Sequence, residues 1–294
     1  MERATGHEQP QETKPTLYVV ATPIGNLRDV TLRALDILRH ADVIAAEDTR
    51  VTSRLLNHYG IDAKKLLALH EHNEQRTAPR LIAELDAGRS VALTSDAGTP
   101  AFSDPGARLV HAVREAGYPV VPIPGANAAA AAVSASGLFD PHFMFYGFLP
   151  ARPSERRKAL EGLKAVPCML VFYEAPHRVV EAVEDLAAAL GDTRRIVIAR
   201  ELTKLFESIH ECDLGGAAEW LSANPDRIKG EFVLIVEGAP PDQDAQAAQA
   251  QRTLEVLLEE LPVKQAAALA AKITGARKND LYKLALELKH GGDA

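Results

Sequence analysis

Residues 95–106 read SDAGTPAFSDPG, which places two acids, two serines and a threonine within one short Gly/Pro-rich stretch. Gly98 gives the backbone freedom, Pro100 fixes φ and removes a donor, and Ser103 or Asp104 stands where it can cap a following helix. The run Val91-Ala92-Leu93 before it has the apolar character of a strand buried in a parallel sheet. Open α/β sheets bind ligands at the edge where such strands end, and an acid there suits a polar or cationic ligand. A plainer reading leaves Asp96 and Asp104 as turn caps.

Other chemistry-bearing residues also follow short apolar runs. Glu47-Asp48-Thr49-Arg50 follows Asp42–Ala46, His70-Glu71-His72-Asn73-Glu74 follows Leu66–Leu69, and Pro124-Gly125-Ala126-Asn127 follows Val120–Pro122. His70 and His72 lack a third ligand at metal spacing, so no metal is expected. The chain contains no G-x-G-x-x-G, no G-x-x-x-x-G-K-[ST] and no G-x-S-x-G, which removes the usual signatures of dinucleotide, P-loop and serine-hydrolase chemistry.

The elements that must position these residues alternate. Strands are expected at Thr16–Ala21, Asp42–Ala46, Leu66–Leu69, Val91–Leu93 and Val120–Pro122. Helices are expected at Leu32–Arg39, near Thr52–Tyr59, at Ala78–Ala87 and at Ala107–Ala116. Crossovers of that length demand parallel strands, which gathers the polar clusters on one sheet edge. A small-residue helix from Ala128 leads into a second set of strands, at Phe143–Phe148, Cys168–Tyr173, Arg195–Ala199 and Phe232–Val236, with a helix over Val179–Leu190. The expected organisation is a disordered leader (1–15), an N-terminal α/β domain (16–127), a second α/β domain (128–238), a Pro/Ala/Gln-rich linker (239–251) and a helical tail of helix-turn-helix type (252–294).

Composition sets the outer limits. Of 294 residues, 47% are hydrophobic and 25% charged, ordinary values for a packed globular protein. Two distant cysteines, Cys168 and Cys212, exclude a disulfide scaffold or zinc ribbon and fit a reducing cytoplasm. No apolar run is long enough to span a bilayer, and the polar start has no signal-peptide core, so no membrane association is expected. The net charge of −7 argues against general nucleic-acid coating while allowing a local basic patch.

Eight stretches in order, TPIGNLRDVTLRAL (22–35), AAEDTR (45–50), LHEHNE (69–74), SDAGTPAFSDPG (95–106), PGANA (124–128), GFLP (147–150), FYEAPHR (172–178) and ARELTK (199–204), resemble the tetrapyrrole methylase family. The likeness is greatest to its ribosomal branch, which methylates a cytidine 2′-hydroxyl in small-subunit rRNA, and the C-terminal KQAAALAAKITG resembles that branch's helical tail. Tetrapyrrole-modifying relatives carry a G-G-D-P tip where this chain has Ser95-Asp96-Ala97-Gly98, which favours the ribosomal branch.

The resemblance implies a two-domain α/β fold with a parallel-sheet N-domain, a mixed-sheet second domain and a small C-terminal helical appendage. It also implies S-adenosylmethionine as methyl donor, a homodimer, a cytoplasmic location, and rRNA as partner, either naked or within the 30S particle. Carried over motif by motif, the donor's neighbours would be Pro23, Thr94, Ser95, Asp96, Thr99, Asn127, Ala128, Tyr173 and Leu202. A ribose hydroxyl is a very weak acid, so alignment comes first and a base second. Glu47, Asp48 and His72 are the candidates for that base. Glu47-Asp48 has a helix cap and dipole partner as its alternative, and His72 a hydrogen-bonded loop histidine. Arg152, Arg156, Arg157 and Lys158 form an RNA footprint or else a solvated helix face. Arg178 and Lys204 are phosphate contacts or else structural ion pairs with Glu174 and Glu201. The rival functions are methylation of a small tetrapyrrole and a non-catalytic RNA-binding assembly role.

Overall fold

The computed structural model describes residues 14–240 and 243–291; the expected leader lies, save its last two residues, outside them. One compact unit comprises the chain up to Leu163 and Cys168–Glu237, and a second comprises Lys164–Pro167 with the residues from Gly238 onward.

The first unit opens with β1 (Leu17–Val20), α1 (Leu32–His40), β2 (Val43–Ala46), α2 (Thr49–His58), β3 (Leu66–Ala68), α3 (Glu74–Asp86), β4 (Val91–Thr94), α4 (Ala107–Glu115) and β5 (Val120–Ile123). The strands form a wholly parallel sheet in the order β3-β2-β4-β1-β5. β2 and β4 are buried along their whole length, as expected of central strands covered on both faces. Alternate residues of β4 go to opposite layers. Val91 and Leu93 pack with Leu81 and Leu109 of α3 and α4, while Ala92 packs with Leu35 and Leu55 of α1 and α2.

The unit continues with α5 (Ala128–Ala135), β6 (Phe143–Phe148), α6 (Pro153–Glu161), β7 (Met169–Glu174), α7 (Val179–Leu190), β8 (Arg195–Arg200), β9 (Ser208–Asp213), α8 (Leu214–Ser222) and β10 (Phe232–Val236). Their sheet runs β6-β7-β10-β8-β9, with β6 parallel to β7 and the remaining pairs antiparallel. Ala129 and Ala132 of α5 are small enough to let that helix lie directly on Val171, Val197 and Val233 of this sheet. The second unit holds α9 (Gln243–Glu260), α10 (Val263–Thr274) and α11 (Lys278–Gly291) around Leu254, Ala266, Ala270, Leu281 and Ala285.

Several local expectations change. α9 begins at Gln243, so most of the stretch expected as linker is helical; its Ala and Gln residues are good helix formers. Neither Ser103 nor Asp104 caps α4. The cap position is Gly106, at φ 128°, and the buried Glu74 carboxylate accepts from the amides of Gly106 and Leu109 at 3.1 and 2.9 Å. Thr31, by contrast, caps α1 through a 3.1 Å bond from the Ala34 amide.

Candidate active site

At the C-terminal edge of the parallel sheet, the strand ends meet the second sheet around a cleft of about 340 Å³. Its polar floor comes from the ends of β2 and β4, and the short loops hold each other in register. Thr22 and Gly98 exchange backbone hydrogen bonds at 2.8 and 3.0 Å, and the Thr22 hydroxyl donates to the Ser95 carbonyl at 3.2 Å. The Asp96 amide donates to Glu47 Oε2 at 3.2 Å, while Asp96 Oδ1 accepts from the Asp48 amide at 2.9 Å. The strand tips carrying the two acids are thus locked to one another.

The opposite wall is apolar and aromatic. Phe102 stacks on Phe145 with ring centroids 4.3 Å apart, Phe145 meets Tyr173 edge-on at 4.9 Å, and Phe148 meets Tyr173 at 5.6 Å. The Tyr173 hydroxyl accepts from the Ala129 amide at 3.2 Å, and Asn127 caps α5 through the Ala130 amide at 3.0 Å. Thr99 donates to the Ala126 carbonyl at 3.1 Å.

Five carboxylates, Glu47, Asp96, Asp104, Glu174 and Glu231, border this one cleft. Burial pushes Glu47 up, and the neighbouring Asp96 and Asp48 carboxylates add to the effect. Asp104 is pushed up to about 6, first by burial and then by Glu47. A cleft that resists further negative charge and pairs it with aromatic walls favours a ligand carrying both a cation and an apolar ring.

Of the residues singled out from the sequence, Glu47, Asp96, Thr99, Asn127, Ala128, Tyr173 and Leu202 border the cleft. Pro23 and Ser95 border a neighbouring cavity of about 380 Å³ that shares Asp96 with it. Thr94 is buried beneath, 3.2 Å from the Thr52 hydroxyl. His72 is exposed, beside the His70 ring and outside the cleft's lining. Asp48 caps α2 and grips Arg50 at 2.5 Å, and that guanidinium holds its carboxyl low, at about 2. Neither Asp48 nor His72 is therefore placed as a base for chemistry in the cleft.

The basic residues divide in the same way. Arg156 is buried, its Nε 2.6 Å from Asp185 Oδ2, and is removed from the RNA footprint. Arg178 donates to the Leu149 carbonyl at 2.6 Å and pairs with Glu174 at 3.2 Å. Lys204 pairs with Glu201 and Glu231 at 2.8 and 2.9 Å. Both are thus engaged in the ion pairs named as the alternative to phosphate contact. Arg152, Arg157 and Lys158 remain exposed. Phe148 and Phe232 also border the cleft; Phe148 stands in the GFLP stretch without a role read from it, and Phe232 carries no sequence signal beyond strand character. Among the described residues, no group of three or more His, Cys, Asp or Glu side chains is placed to hold a metal.

Residues 16–218 match the model of the Tetrapyrrole (Corrin/Porphyrin) Methylases, and residues 244–289 match the RsmI C-terminal HTH domain. The chain belongs to the tetrapyrrole methylase family. Within curated members, the ribosomal RNA small subunit methyltransferase I of Escherichia coli O157:H7 is 52% identical over 96% of this chain and 98% of its own length. The protein of the same name from Haemophilus influenzae is 50% identical over 92% and 96%. Solved structures agree on the fold: cobalt precorrin-4 methyltransferase overlays at TM-score 0.57, 14% identity, covering 78% of this chain and 97% of that one. Diphthine synthase overlays at 0.56, 18% identity, covering 76% and 90%. Family membership implies S-adenosylmethionine as the methyl donor. A sulfonium suits the acids that border the cleft and an adenine its aromatic rings.

Proposed function

We propose that this methyltransferase moves a methyl group from S-adenosylmethionine to the 2′-hydroxyl of a cytidine in small-subunit rRNA. The observation that carries the reading is the acid-floored, aromatic-walled cleft in a chain about half identical, along nearly its full length, to enzymes named for small-subunit rRNA methylation.

Asp96, Thr99, Asn127, Ala128, Tyr173 and Leu202 hold the donor, with Pro23, Thr94 and Ser95 shaping the loops behind them. When bound, the donor supplies a methyl group on a cationic sulfur. The chain's own contribution is mainly placement, because in-line transfer depends on presenting the acceptor oxygen at the right distance and angle. The Glu47–Asp96 bond fixes the loop that faces the donor, and Phe102, Phe148 and Tyr173 give it an apolar wall. Arg152, Arg157 and Lys158 are the exposed cations for RNA phosphates. The edge strand β6 leaves Phe143, Met144, Tyr146 and Phe148 partly exposed, which supports assembly as a homodimer. No helix among the described residues is long and apolar enough to cross a membrane, and the reading places the enzyme with ribosomes in the cytoplasm.

The test is methyl transfer from labelled donor by purified protein to 16S rRNA, to 30S particles and to a tetrapyrrole. Label in 2′-O-methylcytidine supports the reading. Label in the tetrapyrrole alone replaces it, and donor binding without transfer to any acceptor favours the assembly role.

A further inference from the structure

Asp104 is legible in the sequence only as a helix or turn cap, and the structure relieves it of the helix by giving α4 its cap from Glu74. What remains is a carboxyl bordering the cleft, on a loop held in an unusual shape. Ala101 and Ser103 have φ of 65° and 69°, the left-handed region that residues with side chains rarely occupy. Such backbone persists only where its surroundings over-determine it, and it collects at functional sites.

Here those surroundings are visible. Phe102 is stacked on Phe145. Gly147 leaves room that a Cβ would fill, since one built there would lie 2.7 Å from the Ser103 hydroxyl. A Cβ on Gly106 would lie 2.7 Å from Leu93. Each of these close approaches presses the segment 101–106 into one place, with Asp104 at the cleft.

The other four acids at the cleft are already engaged: Glu174 accepts from the Ala175 amide at 2.8 Å and pairs with Arg178, and Glu231 pairs with Lys204. Glu47 accepts from the Asp96 amide and Asp96 from the Asp48 amide. Asp104 is drawn down only by the nearby Ser95 hydroxyl, which itself lies 3.3 and 3.4 Å from the Ala97 and Gly98 carbonyls. The charged and titratable groups that act on it are Glu47 from the tip of β2 and Asp96 from the tip of β4, and it acts in turn on Tyr173 of β7.

We propose that Asp104 is the catalytic carboxylate that accepts the acceptor hydroxyl's proton during methyl transfer, and that Glu47 is a positioning residue that holds the Asp96 loop. The inference rests on the proposed ribose methylation. As the oxygen–carbon bond forms, the carbon–sulfur bond breaks with its electron pair left on sulfur, and the hydroxyl proton passes to the Asp104 carboxylate. Asp104 must be ionised to act, so the rate should climb with pH through the upper carboxylate range and then level off. A base that titrates just below neutrality is well matched to that work.

The experiment compares wild type, Asp104→Asn and Glu47→Gln in single-turnover methyl transfer to rRNA across pH 4.5–8.5. Donor affinity is measured by calorimetry, and the carboxyls of the donor-free protein are titrated by infrared difference spectroscopy. Asp104→Asn should lower the rate roughly 10²–10⁴-fold, erase the acidic limb and leave donor affinity within about threefold. Glu47→Gln should keep the acidic limb but move it to lower pH, because a like charge beside Asp104 is gone. The carboxyl titrating near pH 6 should vanish from the Asp104→Asn spectrum and shift down in that of Glu47→Gln. If instead Glu47→Gln loses the limb and Asp104→Asn keeps it, Glu47 is the base and the inference is overturned. Loss of donor binding in Asp104→Asn overturns it too, making Asp104 a donor contact. Should Asp104→Asn fail to fold, the limb and carboxyl shift in Glu47→Gln decide alone. A wild type that leaves rRNA unmethylated refutes the ribose reading itself.

Discussion

Arg156 of α6 and Asp185 of α7 meet at 2.6 Å in a place where the arginine side chain is 2% exposed. Asp185 is shared, since Arg157 also approaches it at 3.6 Å from the solvent side. The buried pair ties two helices on the outer layer of the mixed sheet. Without Arg156, Asp185 keeps only the longer contact to Arg157, and breaking a buried pair typically costs about 3–5 kcal/mol. Arg156→Ala should therefore lower the unfolding free energy, and with it the denaturant midpoint, by an amount of about that size. Arg157→Ala and Lys158→Ala should change it by less than about 1 kcal/mol. Equal effects in all three would contradict the division.

That division marks where sequence patterning stops being informative. Four positive charges in seven residues read as one surface, yet position 156 shares its helix face with the buried Leu160 and points inward. Strands β2, β4, β7 and β10 are readable because burial on both faces writes an unbroken apolar run. β9 escapes sequence reading, because an edge strand of sequence SIHECD, with exposure alternating along it, mixes polar and apolar residues without a strong period-two signal. Glu47 and Asp96 can be found from their motifs. Asp104 stands in the same motif but reads as a cap, since no local rule shows that a glutamate thirty residues upstream takes that task.

RNA binding by the exposed part of the cluster makes a separate prediction. Neutralising Arg152, Arg157 and Lys158 together should weaken rRNA binding irrespective of sequence. The plot of log affinity against log salt should flatten by roughly 0.7–0.9 for each phosphate that no longer meets a cation. Donor affinity should stay as it was. Unchanged RNA affinity with an unchanged slope would leave these residues as a solvated face.

At the proposed donor site, Asp96 stands exposed at the tip of β4, bordering the cleft and bonded to the Asp48 amide. Asp96→Ala should weaken S-adenosylmethionine binding by about 1–3 kcal/mol, the cost of losing a charged hydrogen-bond partner. Calorimetry on a variant whose melting temperature is maintained checks this. Full affinity would take Asp96 out of the donor site.

Asp104 also predicts a pH-dependent stability. Its carboxyl titrates near 6 in the folded chain against an ordinary value of 3.8, so between those values the native state holds the proton more tightly than the unfolded state. Stability then falls as pH rises through that window, because deprotonation favours unfolding. Asp104→Asn, which cannot ionise, should match wild type below pH 4 and melt roughly 2–4 °C higher above pH 6. A variant that loses stability equally at pH 4 and pH 8 would mean the carboxylate itself supports the fold.

Mass spectrometry of nucleosides from small-subunit rRNA, taken from cells with and without the gene, tests the central claim of ribose methylation most directly. One 2′-O-methylcytidine should disappear without the gene, return with the wild-type copy and stay absent with Asp104→Asn. An identical nucleoside profile in both cell types would contradict ribose methylation, and an altered tetrapyrrole pool beside it would point to the other acceptor class.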